Sequence, residues 1–245
     1  MIFGVNPVME AIKARPEEID RILVSETRDD RTASELLRAA KARDIEVRKV
    51  PSPELDRLAG KLRHQGVAAV LSGEFRYSEV PDLVEAWKAT GKQAFFLILD
   101  SIQDPQNLGS LIRTASAAGV QGVIIPRDRA SEITPAVVKS SAGATEHMLV
   151  AREVNLVRAI EQLKEENVWV GGVEAGSKEN IYSTDLDRNL ALVIGSEGKG
   201  IRRLVRESCD FMVSIPMEGK LNSLNAAQAG AVAMFEARRQ RSGGK

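Results

Sequence analysis

The sequence predicts a doubly wound α/β fold preceded by a smaller α/β unit. Three observations predict it. From Ala94 onward the chain carries six apolar runs, "AFFLILD", "GVIIP", "HMLVA", "VWVGGVE", "LALVIG" and "FMVSIP". Runs this continuous leave no wet face and suit strands buried on both sides of a parallel sheet. Helical stretches separate most of them, and alternation of strand with helix builds such a sheet. Before Gly73 the elements are shorter, and a polar, proline-bearing stretch then divides the chain.

In the front part, residues 5–15 read as a helix and "IDRILVS" as a strand. "RTASELLRAAKARD" is a helix with Leu36, Leu37 and Ala40 on one face. "IEVRKV" is a strand, "SPELDRLAG" a short capped helix and "GVAAVLSG" a buried strand. This unit spans residues 1–73. "EFRYSEVPDLVEAWKATGKQ" reads as a connection with one helix, a linker over residues 74–92. Residues 93–245 form the larger unit, with helices expected at Leu108–Ala118, Pro135–Ala142, Leu156–Glu166, Ile201–Ser208 and Asn225–Arg239.

A chain of 245 residues can hold two such units. Its 34 basic and 34 acidic residues cancel, so no global field draws polyanions, although a local basic patch would suffice to hold RNA. Aromatic residues are 4% of the chain, which leaves the core to Ile, Leu, Val and Ala and argues against recognition by extensive base stacking. The one cysteine, Cys209, has no partner for an internal disulfide, and an intracellular, cytoplasmic location is expected. With His64 and His147 it cannot make a zinc cluster, so no metal is expected. "MIFGVNPVMEAI" lacks the pattern of a leader, and no apolar run is long enough to span a membrane.

In doubly wound sheets, ligands bind beyond the carboxyl ends of the strands. The loops after Leu99, Ile194 and Ile215 are therefore the places to look. The first reads "LDSIQDPQNLGSLIRTASAAG": a turn at Asp104-Pro105, Asn107 at a helix entrance and Arg113 nearly two turns in. A turn, a cap and a surface arginine would give the same pattern. The second, "LALVIGSEGKGIRRL", places Gly195-Ser196-Glu197-Gly198-Lys199-Gly200, three of the six being glycine, between a strand and a helix. Glycines there let a ligand reach the backbone. The spacing fits neither a Walker A loop nor the dinucleotide fingerprint. The third, "IPMEGKLNSLNAAQAGAVAMF", brings Ser223 and Asn225 to the mouth of a helix. Ala226, Gly230, Ala233 and Ala237 then fall on one stripe, which permits close helix approach.

Taken together, "DPQNLGSLIRTASAAG", "LVIGSEGKGI" and "IPMEGKLNSLNAAQAGAVAMFEA" resemble the three motifs of the SpoU family of RNA ribose 2′-O-methyltransferases, within the SPOUT class. Their order and spacing match over most of residues 94–240. The front unit, from "FGVNPVMEAI" to "HQGVAAV", resembles the L30e-like RNA-binding extension of the branch that modifies 23S rRNA. The resemblance implies a parallel sheet whose C-terminal segment forms a trefoil knot, and S-adenosylmethionine as cofactor, contacted by Gly195, Ile215 and Leu224 with Met217 nearby. It implies a homodimer with the third-motif helix at the interface, where the small stripe would meet another subunit or pack internally. Asn107, Arg113, Glu197, Ser223 and Asn225 are the implied catalytic residues. Family proposals make Arg113 the general base. Because a guanidinium stays protonated, the other scheme has Arg113 grip the adjacent phosphate and stabilise the oxyanion, and the sequence leaves both open. Ser223 and Asn225 position the ribose and the arginine. Glu197 orients Arg113 or carries the proton. Val173 stands where the family often has Thr and is not counted as a cofactor contact.

The resemblance implies ribose methylation of a guanosine of 23S rRNA. The tRNA-modifying branch and a non-catalytic ribosome-assembly factor are the alternatives. Arg127 and Arg129 in "PRDRA", Lys139, Ser140 and Ser141 in "KSSAGATEH", and the basic tail "EARRQRSGGK" are further features that fit RNA.

Overall fold

The computed structural model describes residues 1–28, 30–219 and 223–243. Part of the third motif, Lys220, Leu221 and Asn222, lies outside them. The described chain divides into two compact units.

The first unit takes Met1–Arg76 together with Ile133–His147. Its elements are β1 (Ile2–Phe3), α1 (Val5–Ala14), β2 (Ile19–Ser25), α2 (Arg31–Lys41), β3 (Val47–Val50), α3 (Ser52–Ala59) and β4 (Val67–Leu71). The sheet order is β1-β4-β2-β3, with β4 antiparallel to both neighbours and β3 parallel to β2. Phe3, Leu23, Val50, Leu55, Ala59 and Ala68 form a small core.

The segment Ile133–His147, which sequence order puts in the larger unit, packs with the first instead. It carries the helix Pro135–Ser140 and a 3₁₀ turn at Ala144–Glu146. Two contacts explain its place. The Glu146 carboxylate is buried and accepts from Arg15 Nε at 2.6 Å. Gly143 lies so close to α1 that a Cβ there would stand 2.9 Å from Glu10 Cβ and 3.0 Å from Pro7 Cα.

The second unit holds Tyr77–Glu132 and the described residues from Met148. It contains α4 (Val80–Ala89), β5 (Phe95–Asp100), α5 (Pro105–Ala118) and β6 (Gly122–Pro126). Counting Pro135–Ser140 as α6, it continues with β7 (Val150–Glu153), α7 (Leu156–Glu165), β8 (Trp169–Val173) and β9 (Glu179–Asn180). The last elements are β10 (Leu190–Gly195), α8 (Arg203–Ser208), β11 (Phe211–Ser214) and α9 (Ala226–Arg241). The sheet order is β7-β6-β5-β10-β8-β11-β9, and every pairing is parallel.

Side chains alternate across a strand, so β5 feeds both faces. Phe96 and Ile98 join Leu83 and Trp87 of α4, Ile160 and Leu163 of α7, and Val205 of α8 in one core. The helix in the stretch read as a linker is thus a core element: Val80, Leu83, Val84 and Trp87 are all buried, and Trp87 meets Phe96 edge to face at 5.9 Å. On the opposite face α5 and α9 pack together. The small stripe of α9 serves this internal contact. Ala226, Gly230, Ala233 and Ala237 are buried within the single chain, and a Cβ on Gly230 would collide with Leu111. Its outward face keeps Phe235 48% exposed.

Candidate active site

The chain passes from β5 through β6 and β7, then returns by α7 to β8, leaving a gap that β10 fills. A reversal of strand order of this kind opens a crevice at the carboxyl ends. A cavity of about 700 Å³ lies there, a size typical of small-molecule sites. Its wall comes from Val173–Ala175 after β8, Ile194–Gly200 after β10, Ile215 and Met217 after β11, and Ser223–Ala226 with Ala229 at the start of α9.

The loop after β10 is shaped by its glycines. Ser196 and Gly200 exchange backbone hydrogen bonds of 3.1 and 2.9 Å, folding the loop back over Gly195. A Cβ on Gly195 would strike the backbone of Gly200 and Ile201, so this strand end accepts only glycine. Gly198 and Gly200 hold φ of 78° and 64°, which side chains rarely adopt.

Two polar staples fix the loop. At its far end the fully buried Asp100, paired in register with Gly195, accepts from the Arg202 N–H at 2.7 Å and from Arg202 Nε at 2.6 Å. At its near end the Glu197 Oε1 accepts from Asn107 Nδ2 at 3.0 Å, from Asn225 Nδ2, and from the Ala226 N–H at 3.4 Å. Asn225 also donates to Asn107 Oδ1 at 3.0 Å and caps α9 through the Ala227 N–H at 2.8 Å. Asn107 lies in the first turn of α5 and Asn225 caps α9, so two positive helix ends converge on one carboxylate. Three distant motifs therefore meet at Glu197.

Of the sequence-derived residues, Gly195, Ile215, Met217, Leu224, Glu197, Ser223 and Asn225 line the cavity, and Asn107 joins it through Glu197. Arg113 does not. It is exposed on α5, and among the described residues no hydrogen bond or ion pair joins it to Glu197, Ser223 or Asn225. Within one chain, Glu197 orients the two asparagines and not the arginine. Val173, which the family pattern gives no reason to include, lines the cavity.

The sequence reading missed Asp100 and a wall pair, Glu174 and Arg206, joined at 2.5 Å. An aspartate ending the run "AFFLILD" was the available signal for Asp100, since a carboxylate so buried must be paired. Nothing in the spacing of Glu174 and Arg206 links them. Burial pushes the Cys209 thiol up to about 12, so it is no nucleophile. Among the described residues no three His, Cys, Asp or Glu side chains gather as a metal site, and no helix is long and apolar enough to cross a membrane.

The wall suits S-adenosylmethionine. Main chain of a glycine loop offers donors and acceptors to an adenosine, Ile215, Leu224 and Ala226 supply apolar cover, and the missing Cβ at Gly195 permits close approach.

Comparison with known proteins identifies the family. Residues 94–235 match the SpoU rRNA Methylase family, and residues 1–75 match the RNA 2′-O ribose methyltransferase substrate binding domain. The chain is 42% identical over 240 residues to YacO of Bacillus subtilis (strain 168), provisionally named a TrmH-family tRNA/rRNA methyltransferase, covering 98% of this chain and 95% of that protein. It is 41% identical to the 23S rRNA (guanosine-2′-O-)-methyltransferase RlmB of Xylella fastidiosa (strain Temecula1 / ATCC 700964), over 98% and 96% of the two chains. The crystal structure of the SpoU methyltransferase AviRb from Streptomyces viridochromogenes, in complex with AdoMet, superposes with a TM-score of 0.80 at 26% identity, covering 99% of this chain and 90% of that one. The chain belongs to the SpoU rRNA methylase family and is an RNA ribose 2′-O-methyltransferase.

Proposed function

We propose that the protein methylates the ribose 2′-OH of a guanosine in 23S rRNA, acting as a cytoplasmic homodimer. The single observation that carries the reading is the convergence of Asn107, Glu197 and Asn225 beside a glycine-walled cavity. The 23S guanosine is supported by similarity to RlmB over 98% of this chain and by the substrate-binding match at the front.

S-adenosylmethionine, bound in the cavity, supplies an electrophilic methyl group on a sulfonium. The protein's own task is to align a ribose oxygen with that carbon and accept its proton. Ser223, exposed at the cavity mouth, holds the ribose by its hydroxyl. Asn225, fixed by Glu197 and by its cap, presents a rigid amide edge to the same sugar. Glu197 carries the 2′ proton through its second carboxylate oxygen.

Arg113 grips the adjacent phosphate from a second subunit. Its exposure, and its lack of a contact with its own cavity, support a site completed across a dimer. The outward face of α9, with Phe235 exposed, is the surface offered for that contact. The trefoil threading belongs to the same proposal, supported by β10 entering between β5 and β8 and by α9 returning over β10.

The test is methyl transfer in EDTA from labelled S-adenosylmethionine to transcribed 23S rRNA, followed by nuclease digestion. Label recovered as 2′-O-methylguanosine is the expected outcome. Label on a base, or a requirement for divalent metal, contradicts the reading.

A further inference from the structure

The wall pair of Glu174 and Arg206 takes no part in the chemistry at Glu197. The two carboxylates draw their partners from opposite faces of the sheet. Asn107 and Asn225 stand at the starts of α5 and α9 on one face. Arg206 stands on α8, which packs with α7 on the other.

The backbone of Glu174 is pinned on both sides. Its N–H donates to Val213 O at 2.9 Å, and its carbonyl accepts from the Ser177 N–H at 3.3 Å. Its side chain, 21% exposed, lies against the glycine loop. A Cβ on Gly200 would stand 2.9 Å from Glu174 Oε1, so this glycine makes the room that the carboxylate occupies. Arg206 Nη2 donates to the same Oε1 at 2.5 Å. A carboxylate can accept about four hydrogen bonds through its two oxygens. Among the described residues no group donates to Oε2. The pair therefore holds one oxygen still and leaves the other to the cavity that Glu174 lines.

The glycine loop and Ile215 form the wall that suits an adenosine. Glu174 adjoins both, through Gly200 and through Val213, whose strand leads to Ile215. An adenosine offers there two adjacent ribose hydroxyls, which donate well to a carboxylate. We propose that Glu174 recognises the ribose of the cofactor, accepting from its hydroxyls through Oε2, and that Arg206 positions the carboxylate. The assignment rests on the S-adenosylmethionine reading of the cavity and not on which RNA is methylated.

Calorimetry of the full chain with S-adenosylhomocysteine, and with its analogue lacking both ribose hydroxyls, tests it. The wild-type chain should bind the analogue more weakly by about tenfold or more. Glu174→Ala should lose a similar factor for S-adenosylhomocysteine and none for the analogue, so the discrimination disappears. Glu174→Gln keeps the size of the side chain and reports on the site even where Glu174→Ala lowers the melting temperature. It should narrow the discrimination too, because Arg206 takes the amide oxygen and leaves the nitrogen facing the cavity. Undiminished discrimination in either variant overturns the assignment alone; a loss equal for both compounds is what recognition of the amino-acid end would give. A wild-type chain that binds both compounds equally also overturns it. A wild-type chain that binds neither overturns the cofactor reading of the cavity, and the assignment with it.

Discussion

The cavity of the second unit and the fold of the first are fixed by opposite means. The cavity is walled by main chain. Its glycines remove side chains, and Glu174 is already paired with Arg206 and Glu197 with two asparagines. Such a wall reads shape and hydrogen bonds. The first unit is tied instead by side chains that meet across the chain, Arg15 with Glu146 at 2.6 Å and with Glu18 at 2.8 Å. The difference teaches where salt and substitution should act. Salt screens the part-exposed ion pairs of the first unit and leaves the cavity nearly untouched. Small changes of volume damage the cavity most.

The largest expected effect comes from the one candidate residue outside both. Arg113→Ala should lower methyl transfer by about a hundredfold or more while S-adenosylmethionine binding, followed by calorimetry, stays intact. Arg113→Lys should fail as well, since lysine is a point charge without the bidentate fork. Mixing Arg113→Ala with Asn225→Ala, each inactive alone, should restore activity after subunit exchange. A mixture that stays dead means each site is complete within one chain, and that Arg113 reaches it by moving.

A smaller effect is expected where the loop is stapled. Asp100→Asn keeps the shape but removes the charge that holds Arg202. A charge-assisted hydrogen bond contributes about 1.5–3 kcal/mol, so cofactor affinity should drop by roughly tenfold or more. Unchanged affinity in that variant would show that the glycines alone set the loop.

The smallest effect sharpens the reading of α9. Gly230→Leu should overpack the contact with Leu111 and lower stability by about 1–3 kcal/mol. The melting temperature should fall equally at all protein concentrations. A loss of stability that deepens on dilution would return the stripe to a subunit interface.

Much of the second unit was legible in the sequence, because strands buried on both faces must be apolar throughout. The run "LALVIG" became β10, and its glycine is the point where the next loop folds back. Asn225 was legible twice over, as a cap and as a motif residue, and it serves both arrangements. The stripe of α9 was legible as close packing, but its partner was not, since small residues say that something is near and not what. The two-residue strands β1 and β9 gave no periodicity to read. The placement of Ile133–His147 was invisible for another reason. It depends on Arg15 meeting Glu146 across 131 positions and on Gly143 resting on α1, and no local pattern encodes such a meeting. That placement also bears on any deletion of the front residues, which would strip the cover from this segment. Point substitutions test the first unit more cleanly.

The most direct test of the account is a map of ribose methylation in 23S rRNA from cells lacking this protein. The account predicts that one 2′-O-methylguanosine disappears, that the wild-type chain restores it, and that Arg113→Ala does not. An unchanged set of ribose methyl groups in 23S rRNA, with a mark lost from tRNA or with none lost at all, would contradict it.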